Sequence, residues 1–126
     1  MGDLFVRALL AHLTGDYLLQ SKKMALQKSS SVAWCTLHVL IYSLTTMLFL
    51  WSTNPWVFVA VFVPHWIIDY WSLGLTWLKL IKGRTFEDAN DKFDVAFTCL
   101  VYAVVDNTFH LLCLWATIRF LIVDLA

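Results

Sequence analysis

Apolar positions along the chain gather into four long runs separated by polar connections, covering residues 4–20, 33–51, 56–80 and 95–123. Neither the two-residue alternation of a half-buried strand nor the ten-residue alternating segments of a lipid-facing barrel is visible. A hydrocarbon core of about 30 Å takes about 20 helical residues to cross. The runs therefore predict an all-α protein, a four-helix integral membrane bundle forming one domain over residues 1–126. The first run is short and is interrupted by Arg7, His12 and Asp16, so a re-entrant or interfacial helix is its alternative. The third is long enough to tilt, with Pro64 placed to kink it just before His65, and the fourth is long enough to overshoot the bilayer.

Composition agrees with this pattern. Of 126 residues, 60% are hydrophobic and 14% charged, against about 25% charged in an ordinary soluble domain. Mean hydropathy is +0.71. Too little polar surface is present to dress a small water-soluble globule, and disorder, a collagen-like fibre and a disulfide scaffold are excluded by the same figures. Nine basic and nine acidic residues cancel, so nothing in the net charge points to nucleic acid, and the apolar composition makes the lipid bilayer the expected partner. Seven of the nine basic residues (Lys22, Lys23, Lys28, Lys79, Lys82, Arg84 and Lys92) fall in or beside the connections 21–32 and 82–94. The positive-inside rule places those loops in the cytoplasm and both termini on the opposite, non-cytoplasmic side. Trp34, Trp51 and Trp56 stand at run ends, where interface anchors belong.

The N-terminus lacks a basic stretch and a small-residue cleavage site, so no cleaved leader is expected, and Val6 stands where a myristoylation signal needs Ser or Thr. Cys35, Cys99 and Cys113 are odd in number, lie in apolar runs and form no Cys-x-x-Cys pair, so they read as small buried hydrophobes. The acidic stretch 87–94 resembles a calcium loop faintly, but it lacks the turn glycine and reads as a solvated loop with charge at a helix N-terminus.

The chemistry lies within the apolar runs. All four histidines (His12, His38, His65 and His110) are there, and three have an aspartate four residues away: Asp16, Asp69 and Asp106. Residues at i and i+4 share a helix face, so each pair can present an imidazole and a carboxylate to one target. Runs one and three read His then Asp, whereas run four, threaded oppositely, reads Asp then His. Every aspartate then lies on the cytoplasmic side of its histidine. His38 opens the second run at roughly the depth of Asp16 by helical rise.

An ionised Asp near mid-bilayer costs about 2.5–3.5 kcal/mol, so three cost on the order of 9 kcal/mol. That cannot stand unpaired against a total stability of about 5–15 kcal/mol. The carboxylates must be protonated, paired with imidazolium, or bound to a cation. Four imidazoles and three carboxylates form a donor set for a divalent metal: zinc first, with manganese, iron or magnesium as alternatives. Seven groups exceed one tetrahedral site, leaving two cations, or one cation with surrounding support, both open. Gln20, Tyr42 and Asn107 stand where they can support the ligands, and Gly15 can permit close helix approach beside Asp16. Lys22 and Lys23 serve topology or meet an anionic head group.

The segments 12–20 (His-Leu-Thr-Gly-Asp-Tyr-Leu-Leu-Gln) and 65–70 (His-Trp-Ile-Ile-Asp-Tyr), with His38, Tyr42, Asp106 and His110, resemble domain-of-unknown-function family 3307. The resemblance implies a small polytopic membrane protein of bacteria or their phages, hence the bacterial cytoplasmic membrane or a phage's host membrane. Asn107 departs from the glutamine the family tends to carry after its aspartate. A looser likeness connects the helical His/Asp spacing with membrane-bound metal-dependent hydrolases. The resulting expectation is metal-assisted hydrolysis of a membrane-embedded phosphate or ester, with ligands drawn from His12, Asp16, His38, His65, Asp69, Asp106 and His110. Asp106 is a ligand or the general base, and His38 a ligand or the proton donor to a leaving group. The rival expectations are a proton or metal-ion relay, and an envelope interaction protein with a structural polar core. Oligomeric state is open.

Overall fold

The computed structural model describes residues 2–123. Met1 and the last three residues, on which the expectations of no cleaved leader and of a 1–126 domain partly rest, lie outside the described residues. Regular structure among the described residues is all helical: α1 (Gly2–Leu13), α2 (Lys22–Gln27), α3 (Val32–Leu50), α4 (Pro55–Tyr70), α5 (Leu73–Ile81) and α6 (Lys92–Thr117). Wider π-helical turns, Thr14–Leu18 and Ile118–Val123, continue α1 and α6.

The polar connections form the helix ends. The Ser21, Ser31 and Asp91 side chains accept from the backbone N–H groups of Met24, Trp34 and Asp94, capping α2, α3 and α6. Asn54 caps α4 ahead of Pro55, whose missing N–H costs nothing at the first helical position. The acidic stretch before α6 is accounted for locally, since Asp91 caps the helix and Asp94 pairs with Arg84 at 2.6 Å.

α3 and the segment Lys92–Val123 are each long and apolar enough to cross a membrane, and α4 with α5 qualifies as one bent span. Here the structure corrects the expectation of a single tilted helix over 56–80. α4 and α5 meet at 56°. The break is at Trp71 and Ser72, with Ser72 in the left-handed region at φ 49°. α4 continues through Pro64, so the proline does not end it. The connection 21–32 is likewise more than a loop, since it contains α2.

α3 packs against α1 and α4, and α6 against α4, α5 and α1. Part of the interior is polar, although buried apolar residues outnumber the polar ones. His12, His38, Ser43, Thr46, His65, Asp69, Thr98 and His110 are buried, while Leu48, Trp51, Trp56, Leu80, Phe93 and Leu100 are exposed. Ala8, Tyr42, Leu50, Val57, Val61, Leu114 and Ile118 form an apolar cluster in the half nearer the α3–α4 turn. Among the cysteines, Cys35 is buried and Cys113 half-buried, but Cys99 is exposed on the outward apolar face of α6, against expectation.

Candidate functional site

Four helical segments bring the chemistry together. Asp16 sits in the π-helical turn after α1, His38 in the second turn of α3, His65 and Asp69 at the end of α4, and Asp106 and His110 midway along α6. Such π-turns frequently mark functional positions, because the extra residue re-aims the side chains around it. The Asp16 side chain faces three imidazoles: Oδ2 lies 3.4 Å from His12 Nδ1, and Oδ1 lies 3.3 Å from His38 Nε2 and 3.4 Å from His65 Nε2.

This approach depends on Gly15. A Cβ built there would meet Tyr42 Cδ2 at 2.7 Å and the Tyr42 backbone Cα at 3.3 Å. Because the Tyr42 ring is itself buried against His12 and His65, it has little room to yield. Gly15→Ala is expected to destabilise the protein by about 1–3 kcal/mol, as overpacking does. Thermal unfolding of the detergent-solubilised variant measures this. Gly74 has the same function on α5, where a Cβ would lie 3.2 Å from Asp106 Oδ1.

Asp69 is the hub. Its side chain is fully buried, with Oδ2 3.1 Å from His38 Nε2 and 3.2 Å from His65 Nε2. Oδ1 lies 2.8 Å from Lys28 Nζ and 3.4 Å from His110 Nε2. His38 Nε2 and His65 Nε2 are 3.2 Å apart, and Gln20 Nε2 lies 3.1 Å from His38 Nε2. His110 Nε2 is 3.6 Å from Asp106 Oδ2. Asp16 Oδ1, Asp69 Oδ2, His65 Nδ1 and both His110 ring nitrogens are buried without a hydrogen-bond partner.

His12 is held differently. The Asn107 amide donates to the Ala103 carbonyl at 2.6 Å, which fixes its orientation and directs Oδ1 to His12 Nε2, also at 2.6 Å. An amide oxygen only accepts, so Nε2 carries the proton and Nδ1 is left to accept from the Tyr42 hydroxyl at 3.1 Å. Both nitrogens are thus engaged. Six of the seven expected ligands (Asp16, His38, His65, Asp69, Asp106 and His110) fall into three overlapping three-donor groups, each with its donor atoms within 4.8 Å of one another. His12 belongs to none of the three.

The residue missed from the sequence is Lys28. It ends α2, points inward and pairs with Asp69, while Lys22 and Lys23 stay exposed, the latter with its ammonium 4.9 Å over the Trp34 ring. Burial works to lower the Lys28 pKa, and the adjacent Asp69 carboxylate more than offsets it, leaving the ammonium above the usual lysine range. A signal for it existed: the apolar runs hold three aspartates, Asp16, Asp69 and Asp106, and their basic residues, Arg7, Lys79 and Arg119, are each at least nine residues away in sequence, so the carboxylates call for a cation from a loop.

Five of the six separations among four of these donors fall near the spacing a metal ion sets between its ligands. A tetrahedral zinc with bonds of about 2.0–2.1 Å sets its donor atoms about 3.3–3.4 Å apart. Five separations among His38 Nε2, His65 Nε2, Asp16 Oδ1 and Asp69 Oδ2 run from 3.1 to 3.4 Å. Beside this set a cavity of about 220 Å³ opens, lined by Asp16, Tyr17, Gln20, Lys28, Asp106 and Asn107 among others. A family model described as "Protein of unknown function (DUF3307)" matches residues 4–125. No curated protein and no solved structure matches the chain.

Proposed function

The chain belongs to the DUF3307 family, and from that premise we propose that it is an integral membrane protein whose His38, His65, Asp16 and Asp69 hold a divalent cation, zinc first, for hydrolysis of a membrane-embedded phosphate or ester. The observation that carries this reading is that five of the six separations among four donor atoms run from 3.1 to 3.4 Å, two of these atoms being carboxylate oxygens buried without a hydrogen-bond partner. Such a cation would supply Lewis acidity toward a phosphoryl or acyl oxygen and a water of lowered pKa. The remaining residues have supporting tasks. Asp106 lines the cavity and is the general base, a role that needs a carboxylate within reach of incoming water. His38 is a ligand and not the proton donor, because its Nε2 faces both Asp16 and Asp69. His12, held by Tyr42 and Asn107, packs its ring against Asp16 and limits that side chain's rotation sterically.

The proposed setting is a four-helix arrangement in a bacterial or host cytoplasmic membrane. The 21–32 connection and the cavity beside it face the cytoplasmic leaflet, and both termini lie opposite. The distribution of basic residues and the apolar outer face support this. A lipid-borne substrate fits because the cavity mouth lies among helices whose outer surfaces are apolar.

Metal analysis of detergent-purified protein, paired with phosphatase and esterase assays on lipid substrates in mixed micelles, tests the proposal. Tightly bound divalent metal, with turnover abolished by chelation and restored by zinc, is the expected result. Protein free of metal that folds normally would refute the centre. Bound metal with no turnover but with ion flux in liposomes would move the function to transport.

A further inference from the structure

A second three-donor group adjoins the first. Asp69, Asp106 and His110 offer donor atoms within 4.8 Å of one another, with His110 Nε2 lying 3.4 Å from Asp69 Oδ1 and 3.6 Å from Asp106 Oδ2. His110 is 2% exposed, and neither ring nitrogen has a hydrogen-bond partner. Asp69 is common to both groups, with Oδ2 turned to His38 and His65 and Oδ1 to His110. A carboxylate with one oxygen in each of two adjacent donor sets is what a paired-cation centre requires.

Lys28 reaches this second group through one of its three donors, Asp69. Its Nζ lies 2.8 Å from Asp69 Oδ1, the oxygen that faces His110. An ammonium is a compact point charge with three donors, so it can stand among several acceptors as a small cation does. It also arrives tethered. Lys28 caps the C-terminal end of α2 through its backbone N–H to the Met24 carbonyl at 2.9 Å, and Met24 is buried, so the short helix is anchored over the site. A tethered group acts at an effective concentration of ~mM, far above that of free transition-metal ions.

We propose that the Lys28 ammonium takes the place of a second metal ion: the protein holds one divalent cation per chain, and Asp69, Asp106 and His110 form a latent second site that Lys28 keeps filled. This rests on the proposed metal centre and decides between the one-cation and two-cation forms of it. The latent site has two carboxylate oxygens and an imidazole nitrogen, a donor set that suits zinc or manganese once the ammonium is gone.

Zinc stoichiometry tests this. Wild-type protein, equilibrated with zinc in detergent and desalted, is expected to carry one zinc per chain. Lys28→Met, which keeps most of the side chain's apolar stem but not its ammonium, is expected to carry two, and Lys28→Met with Asp106→Asn is expected to return to one. Lys28→Gln is the substitute if Lys28→Met fails to fold. Two zinc ions in wild type, or one in both single variants, would overturn the inference while leaving the metal centre intact. No zinc in wild type would overturn the centre itself, and this inference with it.

Discussion

Asp69→Ala is expected to abolish binding of the proposed cation and to destabilise the protein by about 3–5 kcal/mol, the range seen when one partner of a buried ion pair is removed. Asp69 contacts every other charged part of the site except Asp16 and Asp106: Oδ1 pairs with Lys28 at 2.8 Å and Oδ2 faces His38 and His65 at 3.1 and 3.2 Å. Alanine removes the counter-ion of a largely buried ammonium and a donor from the ligand set together. No neighbour can substitute, since Asp16 reaches the imidazoles from the opposite helix and Asp106 sits beyond His110. Asp69→Asn separates the two contributions. Its amide oxygen can still accept from Lys28, so a smaller loss of stability is expected, but without the carboxylate charge the cation should still be lost. Metal analysis and thermal unfolding on the same preparations read both quantities. Asp69→Ala with unchanged metal content would show that the cation does not sit against this carboxylate.

The helices that carry the site were legible because their apolar runs are long and their ends carry capping residues. α3, expected at 33–51, spans Val32–Leu50, and the fourth run matches α6 with its π-helical extension. Convergence was legible for a different reason. The reversal from His-x-x-x-Asp to Asp-x-x-x-His accompanies the reversal of chain direction, and antiparallel packing then brings like groups to like depths. What stayed hidden depends on local geometry that composition does not encode. The break at Trp71 and Ser72 has no glycine or proline to announce it, since Pro64 lies upstream and is accommodated inside α4. The π-turn at Thr14–Leu18 leaves the i, i+4 spacing of His12 and Asp16 unchanged in the sequence while altering where Asp16 points. Lys28 was concealed by its neighbours: three loop lysines satisfy the positive-inside rule equally, and only the fold selects the one at the end of α2. His12 carries the same spacing signature as His65, so only its partners, Tyr42 and Asn107, mark it as different.

That difference yields the sharpest contrast in the site. His65→Ala is expected to lose the cation on dialysis, whereas His12→Gln is expected to retain one per chain with affinity lowered roughly 10–100-fold, the effect typical of residues that hold ligands in place. His65 Nε2 faces Asp16, Asp69 and His38 within 3.2–3.4 Å, so its removal opens the ligand set itself. His12 reaches the set only through Asp16 Oδ2 at 3.4 Å, and its two nitrogens are already engaged by a hydroxyl and an amide. Glutamine can keep one of those hydrogen bonds but cannot brace Asp16 as the ring does, so Asp16 should gain rotational freedom and the cation should bind more weakly while remaining bound. Competition with a chromophoric chelator measures both affinities directly. Equal loss of metal from the two variants would make His12 a ligand, and would require the Tyr42 and Asn107 contacts to break when the cation enters.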